Sequence, residues 1–144
     1  MTPSTLDLSA LKNALSSLED GYGAAGNSAW LNAQSEAVKR TLVAGVIQNF
    51  EFVYELSVKM MRRRLELDAA SPSDIDQAGY RDLVRIAAER GLVSNVEAWF
   101  SYRELRNITA HTYDQKKADL VYHNIPAFIS DARRLLAQLE AHNG

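Results

Sequence analysis

The amino-acid sequence predicts an all-α bundle, and three observations lead there. Apolar residues recur at steps of three and four through nearly the whole chain. No stretch alternates convincingly with the period of two that a half-buried strand requires. Helix-capping residues stand where the periodic segments begin. Five helices with short connections, and no convincing internal repeat, give the expectation of one up-and-down bundle domain over residues 1–144.

The first helix carries Leu8, Leu11, Leu15, Leu18 and Tyr22 on one face, and "GYGAAGNS", with three glycines in six positions, is expected to stop it. A long second helix is expected from about Asn32 to Leu67, with Gly45 inside it and no proline. Val43, Val46, Phe50, Val53, Tyr54 and Met61 form its main stripe. Leu42, Phe52, Leu56 and Leu67 widen the stripe, which suits packing on more than one side. In "SPSD", Ser71 is a candidate N-cap, Pro72 fits the first helical position and Asp74 the first turn. The segment either opens a third helix directly or makes a short turn before a start near Asp76. Leu83, Ile86, Ala87 and Arg90 continue this helix, and Gly91 fits a C-terminal cap. "SNVE" at 94–97 has the spacing of a capping box for the fourth helix, which holds Trp99 and Phe100 and runs into "RNITAH". Asp114 can cap a fifth helix whose stripe runs from Ala118 and Val121 to Leu139. Pro126 should kink that helix, because its ring opposes the Tyr122 carbonyl.

Composition narrows the function classes. The 144 residues are 47% apolar and 24% charged, ordinary values for a globular protein, with a formal net charge of −2. Any nucleic-acid contact must therefore use a local basic patch. The absence of cysteine removes disulfides, thiolate metal sites and a cysteine nucleophile. The N-terminal residues lack the basic and apolar regions of a signal peptide, and no apolar run approaches the roughly 18–20 residues of a membrane span. A cytoplasmic location without membrane contact is the expectation.

The fourth helix poses the functional question. Its stripe opens Val96, Trp99, Phe100, and at the same steps continues to Arg103, Arg106, Asn107 and Ala110, so polar residues stand where apolar ones are due. An arginine buried without a partner is costly, so either a carboxylate meets it or the stripe opens into a cleft. Arg106 and His111 lie five residues apart, about 140° around an ideal helix. Only the reach of arginine, or a helix break after Thr109, would aim them together. Such a pair suits RNA cleavage: a histidine moves a proton to or from a ribose or leaving oxygen, and an arginine fork grips the phosphate. No metal or cofactor is required. The plainer reading pairs Arg106 with Glu51 or Glu55 and lets His111 and Tyr113 close the helix end.

Other segments offer less. Glu51, Glu55 and Lys59 have the spacing of a solvated, salt-bridged helix face. "KMMRRR" at 59–64 could meet nucleic acid or an acidic partner, although a charge run more often forms a solvated surface. His123 and His142 have no companions at a metal-ligand spacing. There is no Gly-rich phosphate loop, HExxH or aspartate pair of a nucleotidyltransferase, so the chain itself is not expected to transfer nucleotides.

"RNITAHTY" resembles the Arg-x4-His-x-Tyr motif of the HEPN superfamily, in particular its HepT-like branch. "VIQNFEFVYELSVK", "YRDLVRIAAERGLV" and "AWFSYRELRNITAHTYD" resemble, in that order, blocks of the nucleotidyltransferase substrate-binding proteins, over about residues 40–140. Val58 stands where the family often has tryptophan, and "SPSDIDQAGY" is longer than in many relatives. The resemblance implies a helical homodimer in which two motifs meet at one cleft, and metal-independent RNase activity from Arg106 and His111. Arg103 and Asn107 would support RNA there. It further implies a toxin silenced when a cognate minimal nucleotidyltransferase, acting as antitoxin, adds AMP to Tyr113. Two other readings stay open: a non-catalytic subunit that holds nucleotide or substrate for that enzyme, and a purely structural interaction module.

Overall fold

The computed structural model describes residues 5–143, and every regular element among them is helical. The helices are α1 (Ser9–Ala25), α2 (Ser28–Asn32), α3 (Glu36–Asp68), α4 (Pro72–Asp76), α5 (Tyr80–Glu89), α6 (Val96–Ile108) and α7 (Gln115–His142). A 3-10 turn over Thr109–His111 joins α6 to α7. The expected all-α bundle is present, and the domain expected over 1–144 extends at both ends beyond the described residues. With 33 and 28 residues, α3 and α7 are about 50 and 42 Å long at ~1.5 Å per residue. They pack together, and α1 lies against both. Helices α5 and α6 cover the flank, with α6 on α7 and both touching α3.

The caps show how local chemistry sets these boundaries, and where the pattern misplaced them. Helix α1 continues through Gly21 and Gly23 to Ala25, beyond the expected stop. Tyr22 packs on Tyr122 of α7 with ring centres 5.3 Å apart, and such packing offsets the ~1 kcal/mol that a helical glycine costs. Asn27 caps the short α2, and Ser35 caps α3 by accepting the Val38 N–H at 3.2 Å, so the long helix starts at Glu36 rather than Asn32. The third expected helix is two helices. Ser71 makes no side-chain cap bond, α4 ends at Asp76, and α5 starts only at Tyr80. Gly91 closes α5 with φ of 80°, a left-handed conformation that favours glycine. There the Leu92 N–H reaches the Ala87 carbonyl at 2.9 Å, as in a Schellman cap. In "SNVE" the cap is Asn95, which accepts the Ala98 N–H at 3.0 Å. Ser94 instead accepts a hydrogen bond from Arg134 of α7 at 2.6 Å. Asp114 caps α7 as expected, accepting the Lys116 N–H at 3.0 Å, and α7 runs without interruption through Pro126.

Phe128 of α7 is the aromatic hub of the core, its ring edge-on to Phe50 of α3 and to Trp99 and Tyr102 of α6. Leu11, Leu15 and Leu18 close the core from α1. Of the residues expected to widen the α3 stripe, Phe52 and Leu67 are exposed. The expectation for "KMMRRR" as a solvated face holds only in part: Lys59 and Arg63 are exposed, but at 100° per residue consecutive positions cannot share a face. Met60, Met61 and Arg64 are buried. Arg64 forks onto Asp68 through Nε at 3.2 Å and Nη2 at 2.8 Å, and Nη1 reaches Asn143 at 3.0 Å. Asn143 in turn accepts the Leu6 N–H and donates to the Leu6 carbonyl, so this clamp ties both ends of the described chain to α3.

Candidate functional site

The buried seam of α6 differs from the one read in the sequence. It runs Trp99, Phe100, Tyr102 and Leu105 and ends on the hydroxyl-bearing Thr109, so no charged residue stands in it. Arg103, Asn107 and Ala110 are exposed, and Arg106 sits at the edge with 32% of its side chain accessible. Arg103 lies over the ring of Tyr80, 4.9 Å from its centre. The Tyr80 hydroxyl donates to the Trp99 carbonyl at 2.8 Å, and burial pushes its pKa well above the ordinary tyrosine range.

Arg106 reaches across to α3. Its Nε and Nη2 donate to Glu55 Oε1 at 3.0 and 2.6 Å, and Nη1 lies 3.6 Å from Glu51 Oε2. Nη1 also donates to Thr109 Oγ1 at 3.2 Å, while that hydroxyl donates to the Arg106 carbonyl. The hydrogen bond to Glu55 raises the guanidinium pKa; partial burial opposes it and the charges of Glu51 and Glu55 add to it. The group is therefore a permanent cation, held at a fixed angle. Glu51 and Glu55, read from spacing as a solvated face, are its anchors, as the plainer reading of the motif had it. A half-exposed ion pair contributes only ~0.2–1 kcal/mol, so this pair orients the arginine more than it stabilises the bundle.

Thr109 ends α6 by folding its hydroxyl back on the chain, and the next turn tightens to 3-10. At ~100° per α-helical and ~120° per 3-10 residue, His111 ends about 200° around from Arg106. The break thus does not aim the two side chains together, and no hydrogen bond joins them among the described residues. His111 is exposed beside Tyr113, its Nδ1 3.3 Å from the tyrosine hydroxyl and the two rings edge to face. Tyr113 is 85% exposed, so its ring is not packed under α7. The site therefore has two parts in one chain: an anchored arginine on one side of the turn and an open histidine–tyrosine pair on the other. Elsewhere, His142 Nδ1 lies 3.5 Å from Asp68, and the described residues contain no group of three or more His, Asp or Glu side chains placed to hold a metal ion. No helix of the described residues is long and apolar enough to cross a membrane.

Comparison with known proteins decides the family. The profile described as "Nucleotidyltransferase substrate binding protein like" matches residues 6–141. This chain belongs to that family. It is 44% identical, over 99% of its length and 98% of the relative's, to a Haemophilus influenzae protein named "Probable ribonuclease HepT". A solved Haemophilus influenzae structure, described as revealing the fold of a substrate binding domain of a nucleotidyltransferase, superposes with a TM-score of 0.91 at 45% identity. That match covers 93% of this chain and 99% of the other. A Thermus thermophilus structure shares the fold at a TM-score of 0.70 and 21% identity, over 90% and 98% of the two chains. The HepT-like, nucleotidyltransferase substrate-binding resemblance of the sequence blocks is thereby confirmed.

Proposed function

We propose that this protein is a metal-independent endoribonuclease of the HepT-like kind, the toxin of a toxin–antitoxin pair. The observation that carries the reading is the open His111–Tyr113 pair, set one turn beyond an anchored arginine in a relative of a probable ribonuclease. One chain aims Arg106 and His111 apart, so the working site is composed across a homodimer, with Arg106 of one copy facing His111 of the other. The ribose 2′-oxygen attacks the neighbouring phosphorus, and the P–O2′ bond forms as the P–O5′ bond breaks. His111 takes the 2′ proton, and a water molecule supplies the proton to the leaving 5′ oxygen. Arg106 pairs with the phosphate oxygens as their charge grows, and Arg103 and Asn107 contact flanking RNA.

Tyr113 is the point of control. In the presence of a partner nucleotidyltransferase its hydroxyl attacks the α-phosphorus of ATP; the P–Oη bond forms, pyrophosphate leaves and the phenolic proton passes to solvent. The exposure of the ring supports access by another enzyme. The added AMP removes the hydroxyl hydrogen that can bond His111 and places a negative phosphate beside the site, so positioning, charge and bulk all oppose RNA. The test is cleavage of labelled RNA by purified protein in EDTA. Wild type should release 2′,3′-cyclic phosphate ends, and activity that requires Mg²⁺ would defeat the mechanism.

A second reading has its own support: Glu55 occupies two donor atoms of Arg106, as suits a protein that binds without cutting. If wild type cuts no RNA, the chain is a nucleotide- or substrate-holding subunit of the nucleotidyltransferase.

A further inference from the structure

Tyr113 borders a cleft of about 360 Å³ between the first half of α3 and the start of α7. Val43, Ala44 and Ile47 of α3 and Ala118 of α7 give it an apolar lining, and Glu36, Lys39 and Arg40 add charged groups. Its size lies at the low end of the ~300–1,000 Å³ typical of small-molecule sites, which suits one nucleotide and not a strand. The two basic groups are unequal. Lys39 pairs with Glu36 at 3.3 Å, whereas Arg40 makes no ion pair among the described residues and is exposed. An apolar slot with a free guanidinium in its lining matches a planar base joined to a phosphate.

We infer that this cleft is a receptor for a nucleoside 5′-phosphate, with the base on Val43, Ala44, Ile47 and Ala118 and the phosphate on Arg40, and that it seats the AMP carried by Tyr113. The second half rests on the proposal that Tyr113 accepts AMP; the first half stands on the cleft itself. Because Tyr113 lines the same cleft, an attached nucleotide meets it at an effective concentration on the order of mM. An intrinsic affinity that would be negligible for a free ligand in the cell then suffices to hold the adduct in one place. The silenced state becomes an ordered one, with the tyrosine drawn toward α3 and away from His111.

The experiment is an NMR titration of unmodified, isotope-labelled wild type with AMP, and separately with adenosine and with inorganic phosphate. Neither RNA cleavage nor the nucleotidyltransferase is needed. AMP should produce saturable shifts at the amides of Val43, Ala44, Ile47 and Ala118 with a Kd on the order of mM. Adenosine and phosphate should each bind more weakly, and Arg40→Ala should weaken AMP at least several-fold. Ala44→Phe, which fills the cleft, should abolish binding; Arg40→Ala changes an exposed side chain and keeps the test valid if Ala44→Phe does not fold. Absence of saturable shifts at tens of mM, or shifts that map to another surface, overturns the receptor. Adenylated protein should show the same cleft amides shifted without added ligand. An adduct on Tyr113 with an undisturbed cleft overturns the seating while leaving the modification intact. If no adduct forms, the Tyr113 proposal fails and the result with free AMP still decides the receptor.

Discussion

Arg64 and Arg106 both fork onto a carboxylate of α3, yet they stand in opposite surroundings. Arg64 has 2% of its side chain accessible and fills its donors with Asp68 and Asn143, joining the end of α3 to α7 and the N-terminal segment. Arg106 has 32% accessible, leans on Glu55, Glu51 and Thr109, and faces a turn whose histidine points elsewhere. Deeply buried charge must be satisfied within the fold, so Arg64 is read as structure. Partly open charge that the fold orients without enclosing is available to a ligand, as the role proposed for Arg106 requires.

Mutations should separate the two arginines. The largest effect belongs to the turn: His111→Ala or Arg106→Ala should reduce RNA cleavage by ~10²–10⁴-fold, the range expected when a general acid–base or charge-stabilising group is lost. Circular dichroism should show both variants fully helical. Arg64→Ala should do the reverse, lowering stability in urea by about 3 kcal/mol because it empties a buried ion-pair position. Its activity, measured well below the unfolding midpoint, should stay near wild type. Equal losses of stability in the two arginine variants would erase the distinction.

Glu55→Gln sharpens the same contrast. The amide oxygen can still accept from Arg106, but the competing negative charge is gone. RNA binding followed by fluorescence anisotropy at low salt should tighten by about 3- to 10-fold, and the gain should shrink as salt screens it. Weaker binding would mean that Glu55 serves RNA by position alone. The smallest effect is expected of Tyr113→Phe. Loss of one neutral hydrogen bond to His111, about 0.5–1.5 kcal/mol, should slow cleavage by about 2- to 10-fold while leaving the melting temperature unchanged. Intact-mass spectrometry after co-expression with the nucleotidyltransferase should find AMP on wild type and none on Tyr113→Phe.

The helices were legible because periodicity and caps are local. Leu11, Leu15 and Leu18, Asp114 and Gly91 announce their roles within a few residues of themselves. What failed depended on contacts distant in sequence. The glycines at 21 and 23 stay helical because Tyr22 finds Tyr122, a hundred residues away, and Ser94 leaves the cap to Asn95 because Arg134 occupies it. Spacing alone carries the α6 stripe through Arg103 and Arg106, whereas the seam passes through Tyr102 and Leu105; both faces of that helix carry enough apolar residues to fit the spacing. The motif residues themselves were visible as a cluster of chemistry-bearing types. Spacing offers Glu51 and Glu55 equally as partners of Arg106, and the Lys39–Arg40 cleft leaves no local signal, since a basic pair on a helix looks the same with or without a slot beside it.

The central claim is that Arg106 and His111 work together although one chain holds them apart, and subunit mixing tests it most directly. Arg106→Ala and His111→Ala proteins, each inactive alone, are unfolded together, refolded as a mixture and assayed on RNA in EDTA. A site composed across two copies regains one intact Arg106–His111 pair in every mixed dimer. Cleavage should then return to roughly a quarter of the wild-type level, as random pairing of two equal populations predicts. A mixture that forms mixed dimers yet remains as inactive as its components would contradict the composite site.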